Sequence, residues 1–190
     1  MTAFEKKPPV IALVGLAGTG KSEAGKVLSA MGYQIVYFGG AVLEQVQQRG
    51  LALTPENERL VREELRAQYG MAAMALLKLP QINALLAAGQ LVAIDGLYSF
   101  AEYELLKTSL GERLKVLAIH APKALRISRL AARKVRPLTA SEIDARDFFE
   151  IKNLDKGGPI AIADVHIIND GEAAELHEKL RKIVKQLAYQ

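Results

Sequence analysis

The sequence predicts an α/β domain of three layers, with helices on both sides of a mainly parallel, five-stranded sheet. Two observations carry that expectation. Five short runs, Val10 to Val14, Ile35 to Phe38, Leu91 to Ile94, Val116 to His120 and Val165 to Ile168, are almost continuously apolar. Unbroken runs of this kind suit parallel strands covered on both faces, whereas half-exposed strands alternate. Helical patterns fill the stretches between them, and strands that alternate with helices are joined by crossovers that keep the sheet parallel.

The elements follow in order. After the first strand, Ala24, Val27, Leu28 and Met31 share one face of a helix. Thr54 followed by Pro55 reads as an N-cap with proline at the first helical position, and Val61, Leu65 and Tyr69 mark the buried side of that helix. Pro122 opens a further helix, and Ser141 with Asp144 resembles a capping box for the next. The last helix buries Leu176, Leu180, Ile183, Val184 and Leu187, with Glu175–Lys179 and Glu178–Lys182 as supporting i,i+4 pairs.

With 190 residues and no repeat or Pro-, Gly- or Ser-rich linker, the chain reads as one domain spanning 1–190. No apolar run reaches the roughly 20 residues that cross a bilayer, which argues against a membrane. Lys6 and Lys7 have no apolar segment behind them, which argues against a secretory signal. The absence of cysteine excludes disulfides, thiolate metal sites and a cysteine nucleophile, and agrees with a cytoplasmic location. A net charge of +4 fits anionic ligands but is too mild to argue for nucleic acid.

The strongest functional signal is Gly15-Leu16-Ala17-Gly18-Thr19-Gly20-Lys21-Ser22, which matches G-x-x-x-x-G-K-S directly after the first strand. Gly15, Gly18 and Gly20 let the backbone turn so that successive N–H groups form an anion nest. The helix starting near Lys21 adds the positive end of its dipole. Lys21 can reach the β- and γ-phosphates of ATP, and the Ser22 hydroxyl can ligate Mg2+. Ala17, Thr19 and Glu23 complete the nucleotide-facing set. The alternative is a glycine-rich structural turn. The bare pattern arises by chance in roughly one chain in a hundred of this length, and the flanking strand and helix make the phosphate loop the better reading.

Asp95 ends the third apolar run, and in open α/β sheets ligands gather at the carboxyl ends of strands. It is a candidate for holding Mg2+ or for accepting a proton, against the alternative of a plain Asp-Gly turn. Arg126, Arg129 and Arg133 recur at helical spacing with few acids nearby, and Arg136 and Arg146 follow. Such groups neutralise charge on a transferring phosphoryl group, which makes Arg129 and Arg133 catalytic candidates. Arg59, Arg62 and Arg66 form a second stripe, but Glu58, Glu63 and Glu64 accompany it, so a solvated face explains it equally. His120, His166 and His177 have no metal-ligand spacing, and no G-x-S-x-G or H-E-x-x-H motif occurs.

Over nearly its whole length the chain resembles the P-loop kinases of small phosphate acceptors, the adenylate kinase and dephospho-CoA kinase group. Among these it most resembles uncharacterised archaeal and bacterial members related to dephospho-CoA kinase. Beside the phosphate loop, the resemblance rests on Leu65-Arg66-Ala67-Gln68-Tyr69-Gly70, on Ile94-Asp95-Gly96-Leu97-Tyr98-Ser99, on Arg126-Ile127-Ser128-Arg129-Leu130 with Arg133, and on Ala163 to Gly171. It implies the P-loop NTPase fold, with a helical acceptor-side region at about 41–88 and a lid at about 133–150. It implies Arg66 on the acceptor phosphate, Gly40, Gly96, Arg136 and Arg146 on the acceptor side, and Asn169 and Gly171 beside the adenine. Gly40 departs from the pattern, since relatives place an aspartate there.

The expected activity is therefore transfer of the γ-phosphoryl group of ATP, with Mg2+, to a small-molecule acceptor, foremost a nucleoside monophosphate. A dephospho-CoA-type 3′-hydroxyl is the alternative acceptor. An ATP-binding switch without efficient transfer is the alternative class, and Gly40 is its main support. A regulatory GTPase is disfavoured because no N-K-x-D motif is present, and a nucleic-acid ATPase because no basic stripe interleaves with aromatics.

Overall fold

A computed structural model describes residues 7–189; Met1 to Lys6, and with them most of the segment Met1 to Pro9 weighed as a signal, and Gln190 lie outside the described residues. The five expected strands are β1 Val10–Val14, β2 Tyr33–Tyr37, β3 Leu91–Asp95, β4 Leu114–His120 and β5 Val165–Ile168. They form one all-parallel sheet in the order β2-β3-β1-β4-β5. β1 lies at the centre and is wholly buried, which is why its five residues carry no polar side chain.

Alternate residues of each strand feed two cores. Ile11, Leu13, Leu117, Ile119 and Ile167 face α1 (Lys21–Ala30) and α9 (Ala173–Tyr189). Val10, Ala12, Val14, Val92, Ile94 and Val116 face the other layer. That layer holds α2 (Gly40–Gln48), α3 (Pro55–Tyr69), α4 (Ala73–Ala87), α5 (Phe100–Leu110) and α8 (Gly157–Ala161). Each buried aliphatic side chain contributes roughly 2 kcal/mol, so the two cores supply the driving force for both layers. Two further helices, α6 (Lys123–Ala131) and α7 (Ala140–Lys152), stand at the carboxyl end of the sheet with a smaller cluster of Ala17, Leu130 and Ile143 between them. Among the described residues no single helix is long and apolar enough to cross a membrane; α3 and α4 meet such a test only jointly, across a bend of 84°.

Four local expectations are corrected. The capping box of α7 is Thr139 with Glu142, not Ser141 with Asp144: the Glu142 N–H donates to Thr139 Oγ1 and the Thr139 N–H to Glu142 Oε2. Ser141 already lies inside the helix, and Asp144 pairs instead with Lys123. Tyr69, the last residue of α3, is 40% exposed because the chain leaves the layer at Gly70. Arg133 lies beyond α6, which ends at Ala131, so it does not extend that helix's arginine face. Lys179 donates to the Ile168 carbonyl rather than pairing with Glu175, while the Glu178–Lys182 pair forms at 2.8 Å.

Candidate active site

The phosphate loop leaves the carboxyl end of β1 and enters α1 at Gly20, with φ of +146° at Gly15, +81° at Gly18 and +107° at Gly20. A Cβ on Gly15 would stand 2.4 Å from the Ile119 carbonyl of β4, and one on Gly20 would stand 2.4 Å from Asn169 Nδ2. Both contacts are prohibitive, so these two positions need glycine on space as well as on φ.

Three braces fix the loop from behind. Asn169 Nδ2 donates to the Thr19 carbonyl at 2.8 Å, and Thr19 Oγ1 donates to the Leu16 carbonyl at 2.9 Å. Arg126 Nη1 donates to the Ala17 carbonyl at 3.0 Å, while the same buried guanidinium grips Asp147 of α7 through both oxygens. Arg129 donates to the carbonyls of Asn169, at 3.1 Å, and Gly171, at 3.0 Å. The acids that balance Arg126 and Lys123 of α6, Asp147 and Asp144, thus come from α7, which is why the stretch from Pro122 to Leu138 looks unneutralised in sequence.

Lys21 Nζ lies over the loop and donates to the Gly15 and Leu16 carbonyls at 2.7 and 2.9 Å. Burial, reinforced by the nearby Lys156 ammonium, lowers its pKa to about 7, against the opposing pull of Glu150 and Asp95. Asp95 ends β3, directly across from Leu13 of β1. Burial raises its pKa, while Lys21, Lys156 and the Gly96 N–H oppose that rise.

A cavity of about 790 Å³ opens over the loop, lined by Lys21, Arg129, Arg133, Lys134 and Arg146 against only Glu23 and Asp95. That volume lies within the range of small-molecule and cofactor sites, and the excess of cations suits an anion. The donor set fits ATP and Mg2+: a nest of backbone N–H groups, a mobile ammonium, and Ser22 and Asp95 both in the lining.

A second cavity, of about 560 Å³, shares Tyr37, Tyr98 and Arg146 with the first. Five arginines line it: Arg59, Arg62, Arg66, Arg136 and Arg146. Glu63 pairs with Arg59 at 3.7 Å, Glu58 with Arg136 at 3.3 Å and Glu150 with Arg146 at 2.9 Å. Arg62 and Arg66, one turn apart on α3, have no ion-pair partner among the described residues, and Arg66 Nε is buried without a hydrogen bond.

The structure therefore brings together Ala17, Gly18, Gly20, Lys21, Ser22, Glu23, Asp95, Arg129, Arg133 and Arg146 in the first cavity, and Arg66, Arg136 and Arg146 in the second. Gly15, Thr19, Asn169 and Gly171 do not line either cavity; they shape or brace the loop. Gly96, at φ +97°, is packed between Phe38 and Tyr98. Gly40 opens α2 and is not in the lining of either cavity; a Cβ added there would stand in ordinary contact with Lys78, which pairs with Glu44, and with Tyr37, which lines both cavities. Sequence reasoning missed Tyr37, Tyr98, Glu150 and Lys156. Tyr37 ends β2 and Tyr98 follows the end of β3, which is a usable signal; nothing in the sequence marks Lys156.

Residues 11–148 match the family model described as an AAA domain. A UPF0200 protein of Thermococcus kodakarensis is 33% identical over 94% of this chain and 97% of its own length. One of Pyrococcus abyssi is 33% identical over 95% and 97%. Among solved structures, a gluconokinase from Sinorhizobium meliloti aligns with a TM-score of 0.58 at 16% identity, covering 97% of this chain and 95% of that one. A shikimate kinase from Acinetobacter baumannii, in complex with shikimate, aligns at 0.55 and 21%, covering 96% of both chains. A dephospho-CoA kinase from Campylobacter jejuni aligns at 0.55 and 15%, covering 97% and 100%. At these identities the three structures show the fold alone, that of a P-loop kinase.

Proposed function

This chain belongs to the UPF0200 family and carries an AAA-type P-loop domain, and from that premise we propose that it transfers the γ-phosphoryl group of ATP to a small acceptor, foremost a nucleoside monophosphate. One observation carries this reading. The cavity over the phosphate loop and the arginine-lined cavity beside it share a wall made of Tyr37, Tyr98 and Arg146. A donor site and an acceptor site that adjoin in this way are what in-line transfer requires, because catalysis of that reaction is mostly positioning and electrostatics.

ATP bound with Mg2+ supplies the phosphoryl group and part of its charge neutralisation; Ser22 and Asp95 are the residues that would hold the ion. Lys21 leaves the Gly15 and Leu16 carbonyls for phosphate oxygens. Arg133 and Arg146 face the developing charge from the first cavity. In the second, Arg62 and Arg66 are the guanidiniums still in need of an anion, and Tyr37, Tyr98 and Phe149 offer flat apolar surface for a base. Residues 133–150 act as the lid: Arg136 already reaches Glu58 of α3 across the second cavity, and Asp147 ties α7 to the loop through Arg126. Closure there excludes water, which otherwise competes for the phosphoryl group. The helices at about 41–88 are the acceptor-side region.

A 3′-hydroxyl acceptor of the dephospho-CoA type is favoured by one feature, the half-buried Asp95 carboxylate with its raised pKa, a group suited to take a hydroxyl proton. The switch reading rests on Gly40, which lies beside Lys78 and Tyr37 without lining either cavity.

The test is ADP release from ATP and Mg2+ across nucleoside monophosphates, deoxynucleotides and dephospho-CoA. Acceptor-stimulated release that is lost in Lys21→Ala supports the kinase reading, and no stimulation by any acceptor defeats it. Arg66→Ala is expected to raise the acceptor KM at least tenfold with little change in the KM for ATP. Equal changes in both would remove Arg66 from the acceptor side.

A further inference from the structure

Resting on the phosphoryl-transfer reading above, we propose that Lys156 is a positioning residue, which together with Glu150 holds Arg146 and Tyr98 at the wall between the two cavities. The arrangement starts from local sequence. Arg146 and Glu150 are one turn apart on α7, so Arg146 Nε donates to Glu150 Oε1 at 2.9 Å. After α7 the chain turns back through Asp155, at φ +53°, and the Lys156 N–H donates to the Glu150 carbonyl at 3.1 Å. That turn brings Lys156 Nζ to Glu150 Oε2 at 2.6 Å and sets it 4.3 Å from the centre of the Tyr98 ring.

Lys156 is 1% exposed and Glu150 4%. Taking such charges out of water is costly, and an apolar side chain of the same length would cover Tyr98 more cheaply. Packing alone therefore does not account for a lysine here. The pattern of contacts does. Glu150 engages Arg146 through Nε, and neither terminal nitrogen of Arg146 has a hydrogen-bond partner among the described residues, although Arg146 lines both cavities. The anchor thus fixes the guanidinium while leaving its outer edge for phosphoryl oxygens. Lys156 also shares the carboxylate, so Glu150 does not cancel the charge of Arg146. Burial pushes Glu150 upward, but Lys156 and Arg146 outweigh it and keep the carboxylate below its ordinary range. On the other side, the ammonium holds the Tyr98 ring in place through its π face.

A role in positioning is separable from a role in folding by comparing ground-state and transition-state mimics. The probes are ADP with Mg2+, alone and with aluminium fluoride, which imitates the transferring phosphoryl group. In the unsubstituted protein, aluminium fluoride is expected to tighten ADP binding at least tenfold. Lys156→Met is expected to keep its affinity for ADP alone within about twofold while losing most of that gain, and Lys156→Arg is expected to recover at least half of it. Should Lys156→Met fail to fold, Lys156→Met combined with Glu150→Gln removes both buried charges and is expected to lose the gain in the same way. A full gain in Lys156→Met overturns the proposal. So does a parallel fall in affinity for ADP alone, which would mark Lys156 as structural. No gain in the unsubstituted protein would instead bring down the phosphoryl-transfer reading, and this proposal with it.

Discussion

Lys21 shows what one residue's surroundings imply. Its ammonium is buried, rests on two carbonyls of its own loop and has a pKa lowered to about 7. Phosphate charge placed beside it stabilises the protonated form, so ATP binding draws a proton onto Lys21 wherever the free protein has lost it, from about pH 7 up to the ordinary lysine range. Calorimetric titration with ATP at pH 8.5, in buffers of different ionisation enthalpy, is expected to show net uptake approaching one proton, and none in Lys21→Met. Buffer-independent heats in the unsubstituted protein would contradict this account of the loop. The arginines separate by the same reasoning. Arg129 spends its guanidinium on the carbonyls of Asn169 and Gly171, whereas Arg133 stands exposed at the mouth of the first cavity. Arg129→Ala is expected to lower stability by about 1–2 kcal/mol as well as kcat. Arg133→Ala is expected to lower kcat by on the order of a hundredfold with the melting temperature unchanged. Thermal melts run beside the kinetics decide whether the two differ.

At the scale of elements, α5 carries a buried acid that ties the backbone of Tyr98, in the wall of the second cavity, to the start of the helix. Glu102 closes the Ser99 capping box: its Oε2 accepts the N–H groups of Tyr98 and Ser99, at 2.7 and 3.0 Å, and its other oxygen is buried without a partner. Burial raises its pKa to about 7 against the opposing pull of those N–H groups and of Arg66. The sign follows directly. A carboxyl whose pKa is higher in the folded than in the unfolded chain contributes stability below the unfolded value, near 4.5, and loses it as pH rises through about 7. Glu102→Gln keeps one acceptor oxygen for the two N–H groups and cannot ionise. Denaturant titrations across pH 5 to 8 are expected to show this variant's stability flatter than the unsubstituted protein's, with its advantage growing toward pH 8. Parallel curves would mean that Glu102 titrates normally.

Much of the whole molecule was legible because it repeats simple patterns. β1 and β5 match their apolar runs to the residue; β3 and β4 differ only where Asp95 and Leu114 extend them, and β2 begins earlier, at Tyr33, and stops one residue short of Phe38. Continuous apolar runs leave few alternatives for a buried parallel sheet, and the glycine spacing of the loop leaves few alternatives for its backbone. The second cavity was far less legible. Whether Arg62 and Arg66 are a solvated stripe or a site depends on which carboxylates the fold brings to their neighbours: Glu64 turns to Arg49, Glu58 to Arg136 and Glu63 to Arg59. His120 and His166 give the same lesson. They are 46 positions apart in the chain, yet their ring nitrogens stand 3.0 Å apart across β4 and β5. Apart from the i,i+4 pair Glu63–Arg59, contacts between distant segments decide these points, and local pattern carries no information about them.

The proposed function makes the two adjoining cavities donor and acceptor sites of one reaction. It is tested most directly by following the label from ATP carrying a radioactive γ-phosphate, with Mg2+ and the nucleoside monophosphate that most stimulates ADP release, and with Lys21→Ala as control. On that reading the label moves to the acceptor, inorganic phosphate stays a minor product, and both disappear in Lys21→Ala. Label recovered only as inorganic phosphate, at a rate no acceptor changes, would contradict it and leave the second cavity without a part in the chemistry.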